Sequence, residues 1–220
     1  MRLNLLEDNP IRIQPGKKVL VNGASGGVGS FAVQIAKSFG AEVTAGCSTG
    51  NVDMVHSLGA DHIIDYTQED FTQNGQRYDL ILGAAAYRSI SDYKRVLSSE
   101  GVYIMVGGST AQFFQAMLLG PWISMTGSNK MGTFIKKPNK EDLTVLKELL
   151  DAGKVAPVID KRYPLNEVPE AIRYLEKGHT KGKVVVTVNQ GKKQQDSVPV
   201  SKSGGNNETL YHRCNRLCWF

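Results

Sequence analysis

Apolar residues along the chain follow two spacings, short continuous runs and longer runs with helical periodicity. The short run Lys18–Asn22 is β-branched and apolar between its ends, which is typical of a strand buried on both faces. Residues 29–40 instead carry an apolar stripe of Phe31, Ile35 and Phe39, closed by a glycine, which predicts a helix. The same criteria predict further strands at 41–46, 62–66, 78–85, 101–108 and 122–128, and helices at 51–60, 89–101 and 139–154.

This alternation of strands and helices predicts an α/β fold. Strands separated by helices of this length form a parallel sheet covered by helices on both faces. Residues 163–188 predict a turn, a helix and a final strand. After Val188 the chain is rich in Gln, Lys, Ser, Gly and Asn without periodicity, which predicts a disordered C-terminal tail.

Composition argues against several classes of protein. The chain is 41% hydrophobic and 21% charged, as in ordinary globular proteins, and it has no apolar run long enough to predict a membrane span. Of the formal net charge of +5, +3 lies beyond residue 188, so a nucleic-acid-binding surface is not predicted for the nearly neutral body. The cysteines at positions 47, 214 and 218 form neither a disulfide framework nor a zinc-finger spacing, so we predict no metal site and a reducing, cytoplasmic location.

A glycine-rich turn, "NGASGGVG" (residues 22–29), joins the first predicted strand to the first predicted helix. It matches the dinucleotide-binding fingerprint with Ala24 in the place of the first glycine. Gly26 allows the backbone to approach a pyrophosphate, Gly29 allows the helix to pack closely on the strand, and free N–H groups at the helix start face the phosphates. The motif and its context predict a Rossmann-like, doubly wound parallel sheet that binds a dinucleotide.

The end of the second predicted strand bears on the choice between NAD and NADP. An acidic residue there binds the ribose 2′-hydroxyl and favours NAD, but this chain has Cys47, Ser48 and Thr49, and no carboxylate before Asp53. Small hydroxyl residues leave room for a 2′-phosphate, so the sequence favours NADP(H). Because no cation directly follows Thr49, Lys37 or another basic side chain is left as the candidate partner of the phosphate.

The same turn is similar to that of the short-chain dehydrogenases, a second class of nucleotide-dependent enzyme. That class needs a Tyr-x-x-x-Lys pair, in which the lysine lowers the tyrosine pKa for proton transfer. None of the 8 tyrosines is followed by lysine four residues later, and Tyr163, at about the expected distance from the turn, is followed by Pro164 and Glu167. The short-chain class is therefore the less favoured alternative.

Several segments in consistent order resemble the medium-chain dehydrogenase/reductase superfamily, in its zinc-free quinone oxidoreductase (zeta-crystallin-like) branch. They cover roughly residues 13–188 and read "IQPGKKVLVNGASGGVGSFAVQIAKSFGAEVTAGCST", "SLGADHIIDYTQEDF", "YDLIL", "EGVYIMVGGS" and "EVPEAIRYLEKGHTKGKVVVTV". The resemblance implies NADPH-dependent hydride transfer to a quinone or to an activated alkene such as an enone. We assign no catalytic acid, because the nicotinamide itself carries the hydride chemistry.

The resemblance also implies which residues bind the cofactor. The turn meets the pyrophosphate, Ser48 and its neighbours meet the adenosine phosphate, and the loops after the "YDLIL" and "YIMV" segments line the nicotinamide. Tyr66 is a candidate at the adenosine ribose or phosphate, or else a simple strand cap, and Gly107 and Gly108 also suit an ordinary turn. The predicted cofactor-binding residues are Asn22, Ala24, Ser25, Gly26, Gly27, Val28, Gly29, Ser48, Asn51, Tyr66, Ala85, Ala86, Tyr87, Val106, Gly107 and Gly108.

Members of this superfamily carry a barrel-like domain ahead of the nucleotide-binding domain, and few residues precede "IQPG" here. We therefore expect a truncated chain, whose alternative function is nucleotide binding without turnover. The expected divisions are a linker remnant (1–12), a dinucleotide-binding domain (13–152), a segment returning toward the missing domain (153–188) and the tail (189–220). The predicted strand at 122–128 is a candidate homodimer contact, an internal strand being the alternative.

Overall fold

The computed structural model describes residues 13–108, 129–133, 140–178, 180–188 and 217–219, with single positions at 110, 114, 117, 118 and 125. The chain divides into two units, with the boundary between Pro157 and Val158. None of the described helices is long and apolar enough to cross a membrane.

A six-stranded parallel sheet forms the centre of the first unit. Its strands are β1 (Lys18–Asn22), β2 (Glu42–Cys47), β3 (His62–Asp65), β4 (Tyr78–Gly83), β5 (Leu97–Met105) and β6 (Lys130–Thr133). The helices of this unit are α1 (Gly29–Ser38), α2 (Val52–Ser57), α3 (Ile90–Arg95) and α4 (Lys140–Asp151). The strand order β3-β2-β1-β4-β5-β6 is that of the doubly wound Rossmann-like fold, so the predicted fold class is confirmed.

The topology brings the carboxyl ends of the strands to one edge of the sheet. Strand β1 pairs in parallel with β2 on one side and with β4 on the other, so that Asn22 lies between Gly46 and Gly83. The chain order reverses between β1 and β4, which makes this point the topological switch of the sheet. Ligands of open α/β sheets bind outside the carboxyl ends of the strands at such a switch.

Helix α1 packs on the sheet through a face different from the predicted stripe. The three residues of that stripe are only partly buried, whereas Val33 and Ala36 are fully buried. Gln34 is also buried, because its amide donates to the carbonyl oxygens of Ser30 and Ala156 while its own oxygen accepts from the Ala156 N–H. The helix that the stripe predicted is present, but the stripe does not mark its most buried face. A glutamine takes an interior position there, because backbone groups satisfy its polar atoms.

Most predicted elements of the first unit are present, with altered ends. The helix predicted for 89–101 ends at Arg95, because Leu97 already pairs with Tyr78 at the start of β5. Helix α2 is preceded by a 3₁₀ turn, Thr49–Asn51. Strand β6 lies outside every range that we predicted from the sequence.

The second unit holds a smaller sheet of three strands. Its elements are β7 (Ile159–Pro164), a 3₁₀ turn (Leu165–Glu167), α5 (Val168–Glu176), β8 (Lys183–Thr187) and β9 (Leu217–Trp219). Strand β8 is central, parallel to β7 and antiparallel to β9. The turn, helix and strand predicted within 163–188 are therefore present, whereas β9 lies within the predicted tail and was not predicted.

Three predictions concern segments that lie wholly or mostly outside the described ranges. The linker remnant, 1–12, is one, and the disordered tail, 189–220, is another, of which only 217–219 are described. The third is the strand at 122–128, where the single described position, Met125, is exposed and helical rather than extended. Homodimerisation through this segment stays a prediction.

Candidate functional site

The tight turn after β1 depends on Gly23. The fingerprint match had placed Ala24, not Gly23, at the position of the first glycine. Gly23 has a φ of +87°, a conformation that residues with a side chain rarely adopt. A Cβ atom there would also lie 2.7 Å from the Cβ of Ala85. The fingerprint expects its first glycine where the turn is too tight for a side chain, and here that position is Gly23, one residue before Ala24. A glycine directly before Ala24 was the signal in the sequence that could have shown this.

Two further glycines of the turn meet different surroundings. A Cβ on Gly29 would lie 2.7 Å from the Cα of Ala24, so only glycine lets α1 begin this close to the end of β1. A Cβ on Gly26 would have its nearest neighbour, the Gly23 carbonyl oxygen, 3.7 Å away, which is ordinary contact. No contact with a described residue requires glycine at position 26, whereas a ligand lying against the backbone would.

At the start of α1, several backbone N–H groups have no acceptor among the described residues. Among the described residues, the N–H groups of Ser25, Gly27, Val28 and Gly29 donate to no backbone oxygen, whereas that of Gly26 reaches the Gly23 carbonyl at 3.3 Å. The helix has no side-chain cap and no acidic residue in its first turn. Helix N-termini carry partial positive charge and unsatisfied N–H groups, so this one suits an anionic ligand.

A buried hydroxyl lies just beyond these amides. Ser30 is the second residue of α1 and is 1% exposed, and its Oγ has no hydrogen-bond partner among the described residues. Buried polar atoms are nearly always paired in folded proteins. Sequence reasoning did not single out Ser30, since a serine inside a helix carries no particular signal.

Asn22 and Ala24, both predicted to bind cofactor, lie beneath the turn. Ala24 is buried and its N–H donates to the Gly46 carbonyl at 2.9 Å. The Asn22 side chain is 1% exposed and donates to the Tyr93 hydroxyl at 2.7 Å and to the Ala85 carbonyl at 3.3 Å. The backbone oxygen of Asn22 accepts from the N–H of Ala85 at 3.1 Å, so Asn22 holds the loop after β4 in place.

The loops after β4 and β5 are joined at the same edge of the sheet. The Ala86 N–H donates to the Gly107 carbonyl at 2.8 Å, and the Gly107 N–H donates to the Gly83 carbonyl at 3.1 Å. Ala86 and Gly108 form an isolated parallel bridge. The predicted site residues of these two loops, 85–87 and 106–108, therefore lie side by side, and Val106 is 49% exposed.

Aromatic side chains line this edge next to β3 and β4. The rings of Tyr66 and Tyr87 lie 5.4 Å apart between centroids, and Phe71 packs edge-on against Tyr87 at 6.3 Å. Arg88 lies over the Tyr87 ring at 5.5 Å and forms a 3.0 Å ion pair with Asp70. Burial raises the pKa of Tyr87 to about 12, so its hydroxyl is protonated at neutral pH. Tyr66 and Tyr87 are each about two fifths exposed, so this edge presents aromatic surface to solvent.

The loop after β2 carries a polar network. Asn51 donates from Nδ2 to the Ser48 Oγ at 2.9 Å, while its own Oδ1 is buried without a partner among the described residues. Thr49 donates to Asp65 Oδ2 at 2.5 Å, and Thr67 donates to Asp65 Oδ1 from both its N–H at 2.9 Å and its hydroxyl at 2.7 Å. The hydrogen bonds from Thr49 and then Thr67 lower the pKa of Asp65, which is therefore ionised at neutral pH.

Sequence reasoning missed Asp65, because it looked for a carboxylate only after β2. The parallel register pairs Cys47, the last residue of β2, with Asp65, the last residue of β3. The carboxylate therefore reaches the loop after β2 from the neighbouring strand. The signal was available in the predicted strand 62–66, whose carboxyl end holds this aspartate.

Lys37 does not lie at this site, which corrects the suggestion that it meets a 2′-phosphate. Its ammonium group forms a 2.7 Å ion pair with Asp61 and donates to the Ala41 carbonyl at 3.3 Å. Ala41 directly precedes β2 and Asp61 directly precedes β3, so the pair lies at the amino edge of the sheet. Lys37 was misplaced because α1 runs antiparallel to the strands, which puts its last turn at the opposite edge from its first.

Two other features of the first unit lie apart from the predicted residues. An open groove of about 500 Å³ is lined by Gln34, Lys37, Ser38, Ser57, Leu58, Gly153 and Lys154, of which only Lys37 had been suggested as a cofactor contact. Within the described part of the chain, no group of three or more His, Cys, Asp or Glu side chains is arranged to hold a metal ion. The predicted lack of a metal site stays a prediction.

Comparison with known proteins identifies the family. Residues 58–186 match the family described as zinc-binding dehydrogenase. The mitochondrial NAD(P)H oxidoreductase RTN4IP1 of Mus musculus is 34% identical over 194 residues, with 79% of this chain and 48% of that protein covered. The chloroplastic quinone-oxidoreductase QR1 of Triphysaria versicolor is 36% identical over 177 residues, with 78% of this chain and 53% of that protein covered. By their names these relatives are organellar, and the cytoplasmic location of this chain stays a prediction.

A solved structure agrees with the sequence matches. The quinone oxidoreductase from Coxiella burnetii superposes with a TM-score of 0.68 at 26% identity, with 80% of this chain and 54% of that chain covered. The chain spans about half the length of the curated relatives it matches. These matches place it outside the short-chain dehydrogenases. The chain belongs to the medium-chain dehydrogenase/reductase superfamily, as a quinone-oxidoreductase-like member.

Proposed function

We propose that the first unit binds NADP(H) across the carboxyl edge of its sheet and supplies the nicotinamide-binding part of an oxidoreductase. The observation that carries the proposal is the uncapped start of α1, where four neighbouring N–H groups, from Ser25 and from residues 27–29, have no backbone acceptor among the described residues. A diphosphate presents the anionic acceptor oxygens that such a helix start binds. The open space at Gly26 allows the diphosphate to lie against the backbone.

The remaining contacts follow from the order of the strands. With the pyrophosphate at the switch point between β1 and β4, the adenosine extends over β2 and β3 and the nicotinamide over β4 and β5. Ser48, Asn51 and Tyr66 then serve the adenosine end, and residues 85–87 and 106–108 serve the nicotinamide end. When bound, the nicotinamide supplies the hydride; the protein positions it and excludes water.

NADP(H) rather than NAD(H) is proposed from the loop after β2. Ser48 and Thr49 are small, and the hydroxyl groups of Ser48 and of the exposed residue Tyr66 are donors that a 2′-phosphate can use. Lys37 contributes nothing, because it is paired with Asp61 at the other edge. The preference therefore rests on neutral donors, and we expect it to be modest.

For the substrate we propose a quinone or an activated alkene such as an enone. The relatives include proteins named as quinone oxidoreductases, and a quinone is itself a conjugated enone. Addition of hydride to such a system gives a delocalised oxyanion that water can protonate, so no acidic side chain is required. This chemistry agrees with a site in which we assign no catalytic acid.

Titration of the whole chain with NADPH tests the binding proposal, with Gly26→Ala as the decisive variant. The added methyl group fits the unliganded protein, because its nearest neighbour lies 3.7 Å away, so the melting temperature should not change. A diphosphate against the backbone would collide with that methyl group, and we expect the affinity to fall at least about tenfold, or 1.4 kcal/mol. Equal affinities of the variant and the wild type, or no binding by the wild type, would refute the site.

Turnover is tested separately, by following NADPH absorbance after addition of a small benzoquinone or a cyclic enone. Oxidation that depends on the chain and is lost in Gly26→Ala supports the reductase. Binding without oxidation would limit the function to nucleotide binding, the alternative raised by the sequence. The two assays together decide between these functions.

A further inference from the structure

We propose that Asp65 is a specificity-determining residue, whose carboxylate at the adenosine end of the site restrains the preference for NADPH over NADH. The inference rests on the nucleotide-binding function proposed above. Asp65 lies on β3, whereas the residue that distinguishes NAD from NADP in this fold ordinarily lies at the end of β2.

The position of Asp65 follows from the register of the sheet. Cys47 and Asp65 are paired as the last residues of β2 and β3, and the Tyr66 N–H donates to the Cys47 carbonyl at 3.1 Å. Thr49 lies two residues beyond the end of β2 and donates to the Asp65 carboxylate at 2.5 Å. The carboxylate therefore lies within one hydrogen bond of the loop where a nucleotide-binding aspartate would otherwise stand.

The hydrogen bonds of Asp65 leave it able to act on a ligand. Its carboxylate accepts from the hydroxyl and backbone N–H of both Thr49 and Thr67, about as many donors as a carboxylate accepts. All of these donors are neutral, so the negative charge remains. That charge repels a 2′-phosphate, whereas it does not repel an uncharged ribose 2′-hydroxyl.

The charge is not neutralised by its neighbours. The described hydrogen-bond partners of Asp65 are the neutral hydroxyl and amide groups of Thr49 and Thr67. Lys37, the cation that the sequence had suggested for this end, is paired with Asp61. Within the described part of the chain no salt bridge reaches Asp65, so the carboxylate keeps its negative charge at this end of the site.

The test compares the affinities of the whole chain for NADPH and for NADH, before and after Asp65→Asn. Asparagine keeps the oxygen that accepts from Thr67, and its amide can donate to the Thr49 hydroxyl, so the loop is preserved. Removing one charge close to a nearly dianionic phosphate should raise the ratio of NADPH to NADH affinity about fivefold at low ionic strength. Salt should shrink the effect, because the Debye length at about 0.15 M is about 8 Å.

Glu100→Gln is the matched control. Glu100 is exposed near the start of β5, so this variant makes the same change in net charge at the opposite edge of the sheet. It should leave the NADPH-to-NADH ratio within about twofold of the wild type, because water and salt screen the longer distance.

The outcomes separate this inference from the function on which it rests. A ratio unchanged by Asp65→Asn, or equal losses for both nucleotides, would overturn the specificity role while leaving nucleotide binding intact. If Glu100→Gln changes the NADPH-to-NADH affinity ratio as much as Asp65→Asn does, the change is due to net charge. That result would also overturn the specificity role of Asp65. If the wild type binds neither nucleotide, the proposed function itself fails, and the inference with it.

Discussion

The side-chain amide of Asn22 donates a 2.7 Å hydrogen bond to the hydroxyl of Tyr93, 71 residues further along the chain. Tyr93 is fully buried in α3, and its ring stacks on that of Tyr103 in β5 at 4.4 Å between centroids. Because the Asn22 backbone oxygen also holds the N–H of Ala85, one residue connects the end of β1 to α3 and to the loop after β4. The buried hydrogen bond between Asn22 and Tyr93 therefore helps to fix the backbone around the candidate site at the switch point.

Tyr93→Phe should lower the free energy of unfolding by about 1 to 2 kcal/mol, because it leaves a buried amide donor of Asn22 without its better acceptor. The affinity for NADPH should also fall, since Asn22 positions the backbone at Ala85. Urea denaturation and a nucleotide titration measure the two effects.

Tyr103→Phe controls for the loss of a hydroxyl in the same stack. The Tyr103 hydroxyl has no hydrogen-bond partner among the described residues, and the ring contact with Tyr93 is kept in the variant. This variant should stay within about 0.5 kcal/mol of the wild type. Equal destabilisation by both variants would show that the Asn22 contact is unimportant.

Gly29→Ala should destabilise the fold, unlike Gly26→Ala. The new Cβ would lie 2.7 Å from the Cα of Ala24, and backbone atoms cannot move aside cheaply. We expect a loss of about 2 kcal/mol or more in the free energy of unfolding, measured by urea denaturation. Wild-type stability in Gly29→Ala would mean that α1 does not begin this close to β1.

Titration of Cys47 should make the protein less stable at alkaline pH. Burial, and then the negative charge of Asp65, raise the pKa of its thiol from 9.0 to about 11. Between these pH values unfolded chains release the Cys47 proton while folded chains keep it, so the free energy of unfolding falls as pH rises. The total loss is about 2 to 3 kcal/mol.

Urea denaturation at several pH values between 9 and 11 measures that slope, and Cys47→Ala should flatten it by about one proton per chain. The tyrosines that titrate at higher pH are common to both proteins, so the difference between the two slopes isolates Cys47. Identical slopes would contradict a buried thiol.

Loss of the ion pair between Lys37 and Asp61 at the amino edge of the sheet should make the protein less stable as the pH becomes acidic. Burial alone would raise the pKa of Asp61, but the hydrogen bonds from Lys37 and the Val43 N–H outweigh it and lower the pKa below 3.8. The stabilisation is therefore present above that value and is lost as pH falls through the folded-state pKa. Asp61→Asn should reduce stability at neutral pH more than in acid, whereas the exposed Glu100→Gln should not. Acid denaturation curves of the three proteins provide the measurement.

Much of the site could be predicted because it depends on short segments and on one rule of topology. A β-branched run, a glycine turn and an amphipathic run specify β1, the turn and α1, and parallel strands bring their carboxyl ends to one edge. It is the family resemblance that implied a shared site for residues 85–87 and 106–108, and the structure joins these two loops by hydrogen bonds. Their contact with a cofactor stays a prediction.

The polar partners could not be predicted in this way. Which strand lies beside β2, and in which register, decides that Asp65 meets Thr49. The direction of α1 decides that Lys37 meets Asp61 at the far edge. A backbone segment 122 residues away decides that Gln34 is buried.

The sequence by itself determined the kinds of elements, their order and the glycine turn, because backbone geometry and side-chain periodicity act over a few residues. The tertiary structure alone decided which polar groups meet, since hydrogen bonds and ion pairs require atoms within about 3 to 4 Å. Such distances between remote residues follow only from strand order, register and helix packing.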